Sequence, residues 1–267
     1  MHTVQRGPGV SPRASTGVEL GVGLAGQLVV LLGLEAAVDL GVAGWLVGTG
    51  CGLLTTAFLA HGLGRRSARG LGPADRVTLF RATLVGGVAA MTAGSFGSDG
   101  QGTPWVLVAV TTVALGLDWV DGQVARRTRT VSELGARFDM EVDALLILIL
   151  SVHVSRSVGA WVLLIGAARY LRLLARGPLP WMRLEAPARY WSKVVAATQG
   201  VVLTTVAASV LPAPLAVATL VVAVGLLAES FGRETWWLWR HRPGDAAVEV
   251  GAPDRAAAAP GAEKAAA

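Results

Sequence analysis

Residues 115–150 read LGLDWVDGQVARRTRTVSELGARFDMEVDALLILIL, and they set four aspartates, Asp118, Asp121, Asp139 and Asp143, at the facing ends of two apolar runs. Asp118 and Asp121 are three residues apart and Asp139 and Asp143 four apart, so on helices each pair shares one face. The polar stretch from Thr128 to Leu134 predicts a turn that sends the second helix back antiparallel to the first and brings the two pairs together. An ionised side chain in a membrane span costs about 2.5–3.5 kcal/mol even on a lenient insertion scale, and it turns toward a partner or a wet cavity. Four carboxylates therefore call for cations. Arg126 and Arg137 are near enough in sequence to serve as ion-pair partners. The hard, anionic oxygen set suits Mg²⁺ or Mn²⁺ better, because such ions bind phosphates together with a few carboxylates. Gly122, Ala125 and Gly135 fall on the aspartate faces and clear space there, which an ion-pair staple does not require; close helix packing is the other use of such residues. Glu141 lies on the opposite side of its helix from Asp139 and Asp143 and is not expected to be catalytic.

The rest of the chain supplies a membrane setting. Of its 267 residues 53% are hydrophobic and 15% charged, with a mean hydropathy of +0.55, which disfavours a water-soluble domain. Apolar stretches of bilayer-crossing length fall near 18–38, 40–61, 77–95, 104–121, 136–155, 157–175, 190–211 and 213–231. The fold class that follows is all-α, a polytopic membrane bundle of about eight transmembrane helices. Glu19 and Gln27 weaken the first stretch; a cleaved signal peptide is its competing reading, disfavoured by the second apolar run that follows at once. Arginine and lysine collect in alternate loops: Arg65, Arg66 and Arg76, then Arg126, Arg127 and Arg129, then Arg172, Arg176 and Arg183, then Arg240 and Arg242. By the positive-inside rule both termini and the aspartates face the cytoplasm, with the cell membrane as the expected location. The net charge of +5 is spread in these short clusters, which suits anionic headgroups and no nucleic-acid partner. Cys51 is the single cysteine, so no internal disulfide forms, and the four histidines are too scattered for a metal site. Beyond about residue 243 the Ala, Pro and Gly content predicts a disordered tail. The cluster Trp236, Trp237 and Trp239 beside Arg240 reads as an interfacial anchor.

With these residues in place, the quoted segment resembles the CDP-alcohol phosphotransferase family. It matches the pattern D-x2-D-G-x2-A-R-x8-G-x3-D-x3-D at Asp118, Asp121, Gly122, Ala125, Arg126, Gly135, Asp139 and Asp143. The family's first core helix opens on a segment like P-N-x-x-T-x-x-R, and PADRVTLFR offers Pro73, Thr78 and Arg81, with Asp75 near the usual Asn. The stretch SKVVAATQG, with Lys193 and Gln199, is also family-like. The resemblance implies a six-helix core with two added N-terminal helices. The expected organisation is a cytoplasmic tail over 1–15, two added helices over 16–62, a catalytic membrane domain over 63–232 and a cytoplasmic tail over 233–267. It further implies that a CDP-linked lipid donates its phosphatidyl group to a small alcohol and releases CMP, as in phospholipid biosynthesis, with two divalent ions on the diphosphate. Asp118, Asp121 and Asp139 would be metal ligands, and Asp143 the general base and a second-metal ligand. Gly122, Ala125 and Gly135 would make room for cytidine, Arg126 would pair with phosphate, and Thr78 and Arg81 would stand on the nucleotide side. A homodimer is implied by resemblance alone.

For the acceptor, Arg169, Arg172, Arg189 and Lys193 gather at the cytoplasmic ends of the sixth and seventh spans. A basic cavity there suits a phosphorylated alcohol such as glycerol 3-phosphate or inositol phosphate, and Arg169, deepest in its span, is the favoured phosphate ligand with Arg189 and Lys193 beside it. Two other functions compete. An intramembrane prenyltransferase separates its aspartate motifs widely, whereas these four lie within 26 residues. A cation transporter needs carboxylates near midplane, whereas these adjoin a basic loop.

Overall fold

In lipid, a segment must satisfy its own backbone hydrogen bonds, so each apolar run folds as a helix. The computed structural model describes residues 12–66, 72–97, 104–128, 133–184 and 190–242, and within these it holds no strand. Eight α-helices follow in order: α1 (Pro12–Ala37), α2 (Gly41–Arg66), α3 (Pro73–Gly94), α4 (Pro104–Thr128), α5 (Glu133–Val158), α6 (Leu163–Ala175), α7 (Tyr190–Ala207) and α8 (Ala213–Arg240). They correspond one to one with the eight apolar runs. The expected start of the sixth run is corrected: Gly159 takes φ 119°, and a 3-10 turn at Ala160–Val162 precedes α6. Side chains avoid that backbone conformation, so a glycine breaks the chain between α5 and α6. The polar turn over 129–132, the loop over 67–71, residues 1–11 and the tail after 242 lie outside the described residues.

By length and composition, Gly17–Ala37, Gly41–Leu63, Asp75–Gly94 and Ala213–Arg240 can cross a membrane. The molecule is a helical membrane bundle. In α4 and α5 the aspartates and arginines interrupt the apolar run, and α6, at 13 residues, rises only about 20 Å.

The bundle is organised around α3, which packs against α1, α2, α4 and α5. Small residues make this possible. Gly86, Ala90 and Gly94 recur every four residues on α3, as do Gly44, Gly48 and Gly52 on α2. A Cβ added at Gly44 would lie 2.8 Å from the Ala90 carbonyl oxygen, and one at Gly86 would lie 2.6 Å from Oε1 of Gln27. Lipid tails are as apolar as leucine, so close backbone approach and dispersion, rather than water exclusion, hold such helices together. Gln27 is 1% exposed and sits between Gly52 of α2 and Gly86 of α3. The turn from α1 to α2 is pinned by Glu35, which accepts a 2.9 Å hydrogen bond from Trp45 Nε1, and by Asp39, which accepts one of 3.0 Å from the Gly41 amide. At the end of α8, Arg240 lies over the Trp236 ring and Arg242 over Trp239, 4.9 and 4.4 Å from the centroids. That pairing of cation and indole suits a headgroup layer.

Candidate active site

The aspartates meet through α3. Both α4 and α5 pack mainly on α3 rather than on each other, so the convergence expected from a simple hairpin is achieved by a third helix between them. That helix contributes Arg81, whose side chain is 1% exposed. Its Nη1 donates to Asp118 Oδ1 at 2.5 Å, and its Nη2 to Asp139 Oδ1 at 2.5 Å. The same Nη2 is 3.0 Å from Asp143 Oδ1. A planar guanidinium with its donors in a fixed fork can serve several carboxylates at once. Arg81 thus ties α4 to α5.

The three carboxylates nevertheless remain open to the outside. Their side chains are 46%, 34% and 44% exposed for Asp118, Asp139 and Asp143, and one ligand oxygen from each lies within 4.8 Å of the other two. The cluster presents these three oxygens side by side around the guanidinium. Three hard oxygen donors at this spacing fit a divalent cation. Asp139 is six residues into α5 and Asp118 ten residues from the end of α4, depths of about 9 and 15 Å along the helix axes. Asp139 therefore sits near the start of the 26-residue α5, and Asp118 somewhat past the middle of the 25-residue α4.

The remaining residues singled out from sequence separate into groups. Thr78 is 2% exposed, one turn before Arg81 on the same face of α3, and Gly135 is half-buried in the first turn of α5. The side chains of Asp121, Gly122, Ala125 and Arg126 lie outside the described residues, as does Arg189. Lys193 is exposed near the start of α7. Arg137 and Arg169 line a different cavity, of about 660 Å³ between α5, α6, α7 and α8, together with Arg172 and Arg176. Glu141 also faces that cavity and accepts from Arg169 Nη2 at 2.5 Å, in keeping with its place on the far side of α5. Arg172 is paired at 2.5 Å with Glu234 of α8, and Gln199 Nε2 donates at 2.8 Å to the Ala223 carbonyl, fastening α7 to α8. The helix α5 thus separates an anionic site from a basic cavity.

Two contacts escaped the sequence. Arg81 is a cation for the aspartates, where the sequence offers Arg126 and Arg137; the resemblance implies a place for Arg81 on the nucleotide side, and in the structure its guanidinium engages three carboxylates. The signal was an arginine inside the apolar run VTLFRATLV, which in a membrane helix demands an acidic partner. The Glu141–Arg169 pair was equally signalled by an ionisable residue on each of two successive spans.

No curated protein and no solved structure matches the chain. The family model for CDP-alcohol phosphatidyltransferase matches residues 72–228. That stretch holds Arg81, the aspartates and the basic cavity's arginines, and it begins after α2. Covering more than half of the sequence, the match shows that the chain belongs to the CDP-alcohol phosphatidyltransferase family, membrane transferases of substituted phosphate groups.

Proposed function

We propose that this protein transfers the phosphatidyl group of CDP-diacylglycerol to a small phosphorylated alcohol, such as glycerol 3-phosphate or inositol phosphate, releasing CMP in phospholipid biosynthesis. The observation that carries the reading is the convergence of Asp118, Asp139 and Asp143 within the family domain, with oxygens within 4.8 Å of one another. Together with Asp121 they would hold Mg²⁺ or Mn²⁺, two ions in all. Bound there, such ions supply neutralisation of the donor's diphosphate and of the charge that develops on departing CMP.

The chain's own residues account for the other steps. Asp143, half-exposed at the cluster, takes the proton from the acceptor hydroxyl; the alcohol oxygen then bonds to the phosphatidyl phosphorus, and the bond from that phosphorus to the CMP oxygen breaks. Arg81 orients Asp118, Asp139 and Asp143 relative to one another. Gly122, Ala125 and Gly135 leave room for the cytidine, Thr78 stands on its side of the site, and Arg126 pairs with phosphate. The active site faces the cytoplasm at the cell membrane, and the same reading includes a homodimer.

The acceptor reading draws on the arginine-rich cavity lined by α5, α6, α7 and α8, and it requires the acceptor hydroxyl to reach Asp143 past α5. Four arginines line it, of which Arg169 is paired with Glu141 and Arg172 with Glu234, and an arginine-rich lining suits a phosphorylated ligand, which can compete for such donors. Arg169 would bind the acceptor phosphate, with Arg189 and Lys193 flanking it. Replacing Arg169 by Ala removes one charged hydrogen-bond donor, which is expected to raise the acceptor's KM roughly tenfold and leave the CDP-lipid's KM nearly unchanged. Steady-state kinetics over a panel of alcohols and phospho-alcohols makes the test. Equal increases in both constants, or a preference for unphosphorylated alcohols, would defeat the assignment.

A further inference from the structure

The hairpin of α1 and α2 precedes the matched family region, which starts at residue 72, yet α2 reaches the helix that carries two of the aspartates. Phe58 stacks on Phe138 of α5, with ring centroids 5.8 Å apart and planes 24° from parallel. One turn further along α2, Gly62 faces Leu134, whose methyl groups occupy the space a Cβ at Gly62 would need. Phe138 is 3% exposed and adjoins Asp139, and Leu134 adjoins Gly135. Both contacts therefore fall on the first two turns of α5, the turns that bring Asp139 to Arg81.

The other end of this linkage is firm. The glycine seam and the buried Gln27 hold α2 and α3 in close contact, so α2 and the helix bearing Arg81 form one body. The seat of the α5 entry on α2 then sets how far Asp139 and Asp143 stand from Arg81 and from Asp118 across it. Phe58 is itself 40% exposed, so its ring contributes little burial of its own. A large effect on the site from so open a residue would reflect position rather than bulk stability.

We propose that Phe58 and Gly62 are positioning residues for the carboxylate site, through which the added hairpin fixes the entry of α5 and the spacing of the metal-binding oxygens. This rests on the metal-dependent transferase reading above, but metal affinity can be read without turnover. Titration of the purified full-length chain in lipid nanodiscs with Mn²⁺, followed by electron paramagnetic resonance, measures binding; CMP release measures rate. Phe58→Ala is expected to weaken Mn²⁺ binding about tenfold and lower kcat by a similar factor, as loss of an outer support to a metal ligand does. KM for donor and acceptor should stay within about twofold, because this variant leaves both substrate sites intact. Phe58→Tyr should restore wild-type behaviour. Gly62→Val should reproduce the defect by pushing on Leu134, and adding Leu134→Ala should relieve it.

Wild-type Mn²⁺ affinity and kcat in both Phe58→Ala and Gly62→Val would overturn the proposal. So would a defect that tracks loss of thermal stability and is rescued by neither Phe58→Tyr nor Leu134→Ala, since that marks the hairpin as scaffold alone. Weakened Mn²⁺ binding in the variants, with no CMP release from any form of the chain, would instead sustain the positioning role and refute the transferase reading. Failure of the unsubstituted chain to bind Mn²⁺ refutes both.

Discussion

Asp143→Asn is expected to reduce CMP release about a thousandfold, the middle of the range for loss of a general base, while the protein stays folded. The substitution is nearly isosteric and keeps an oxygen that can accept from Arg81, which lies 3.0 Å from the Asp143 carboxylate. It removes the negative charge and the proton-accepting lone pair. Thermal stability should therefore change little. At saturating metal the acceptor KM should also hold, because the proton-accepting interaction forms as the hydroxyl proton moves and not on binding; the metal concentration required should rise, because Asp143 is also placed among the metal ligands. Rates with the variant and the wild type, compared at saturating metal, donor and acceptor, test this directly. A loss smaller than about tenfold would remove Asp143 from the role of base, since even modest general-base contributions exceed that.

The second large effect is expected at Arg81. Its guanidinium, 1% exposed, holds carboxylates from two different helices, and Arg81→Ala leaves those like charges facing one another. Removing one partner of a buried ion pair costs about 3–5 kcal/mol; the lower end applies here, because the carboxylates are a third to a half exposed and water screens them. The variant should therefore melt several degrees below wild type in a chelator. Mg²⁺ should raise its melting temperature more than it raises that of wild type, since the ion then supplies counter-charge that Arg81 provides in wild type. Arg81→Lys retains the charge but not the fork, and a single ammonium cannot reproduce the geometry that joins Asp118 to Asp139. It should keep most of the stability and lose at least about tenfold in rate, a barrier increase of about 1.4 kcal/mol. Equal metal responses of Arg81→Ala and wild type would show that Arg81 and the metal do not serve the same carboxylates.

How far the sequence could be read follows from the physics of its parts. The helices were legible because the bilayer imposes length and hydropathy on each span, and the alternation of arginine-rich loops confirms their number independently. The break before α6 was not, since it depends on the backbone angle of one glycine, Gly159. Asp118, Asp139 and Asp143 were legible as a cluster because fixed helical spacing places them on faces without knowledge of distant contacts. Arg81 lies 37 residues before Asp118 and 58 before Asp139, and no local periodicity encodes such a meeting; only the cost of an arginine in an apolar run hints at it. The contact of α2 with α5 is less legible still. Phe58 and Gly62 look like ordinary residues of a membrane span, and their meaning comes from packing against Phe138 and Leu134.

The most direct measurement is CMP release from CDP-diacylglycerol by the purified chain, over a panel of alcohols and phospho-alcohols, with Mg²⁺ or Mn²⁺ and then with a chelator. The predicted result is CMP release that requires an acceptor, is fastest with a phosphorylated one, stops on chelation and returns when the ion is restored. No CMP release with any acceptor, under conditions in which an active member of the family releases it, would contradict the proposed function, and release that persists undiminished in the chelator would contradict the metal role given to the aspartates.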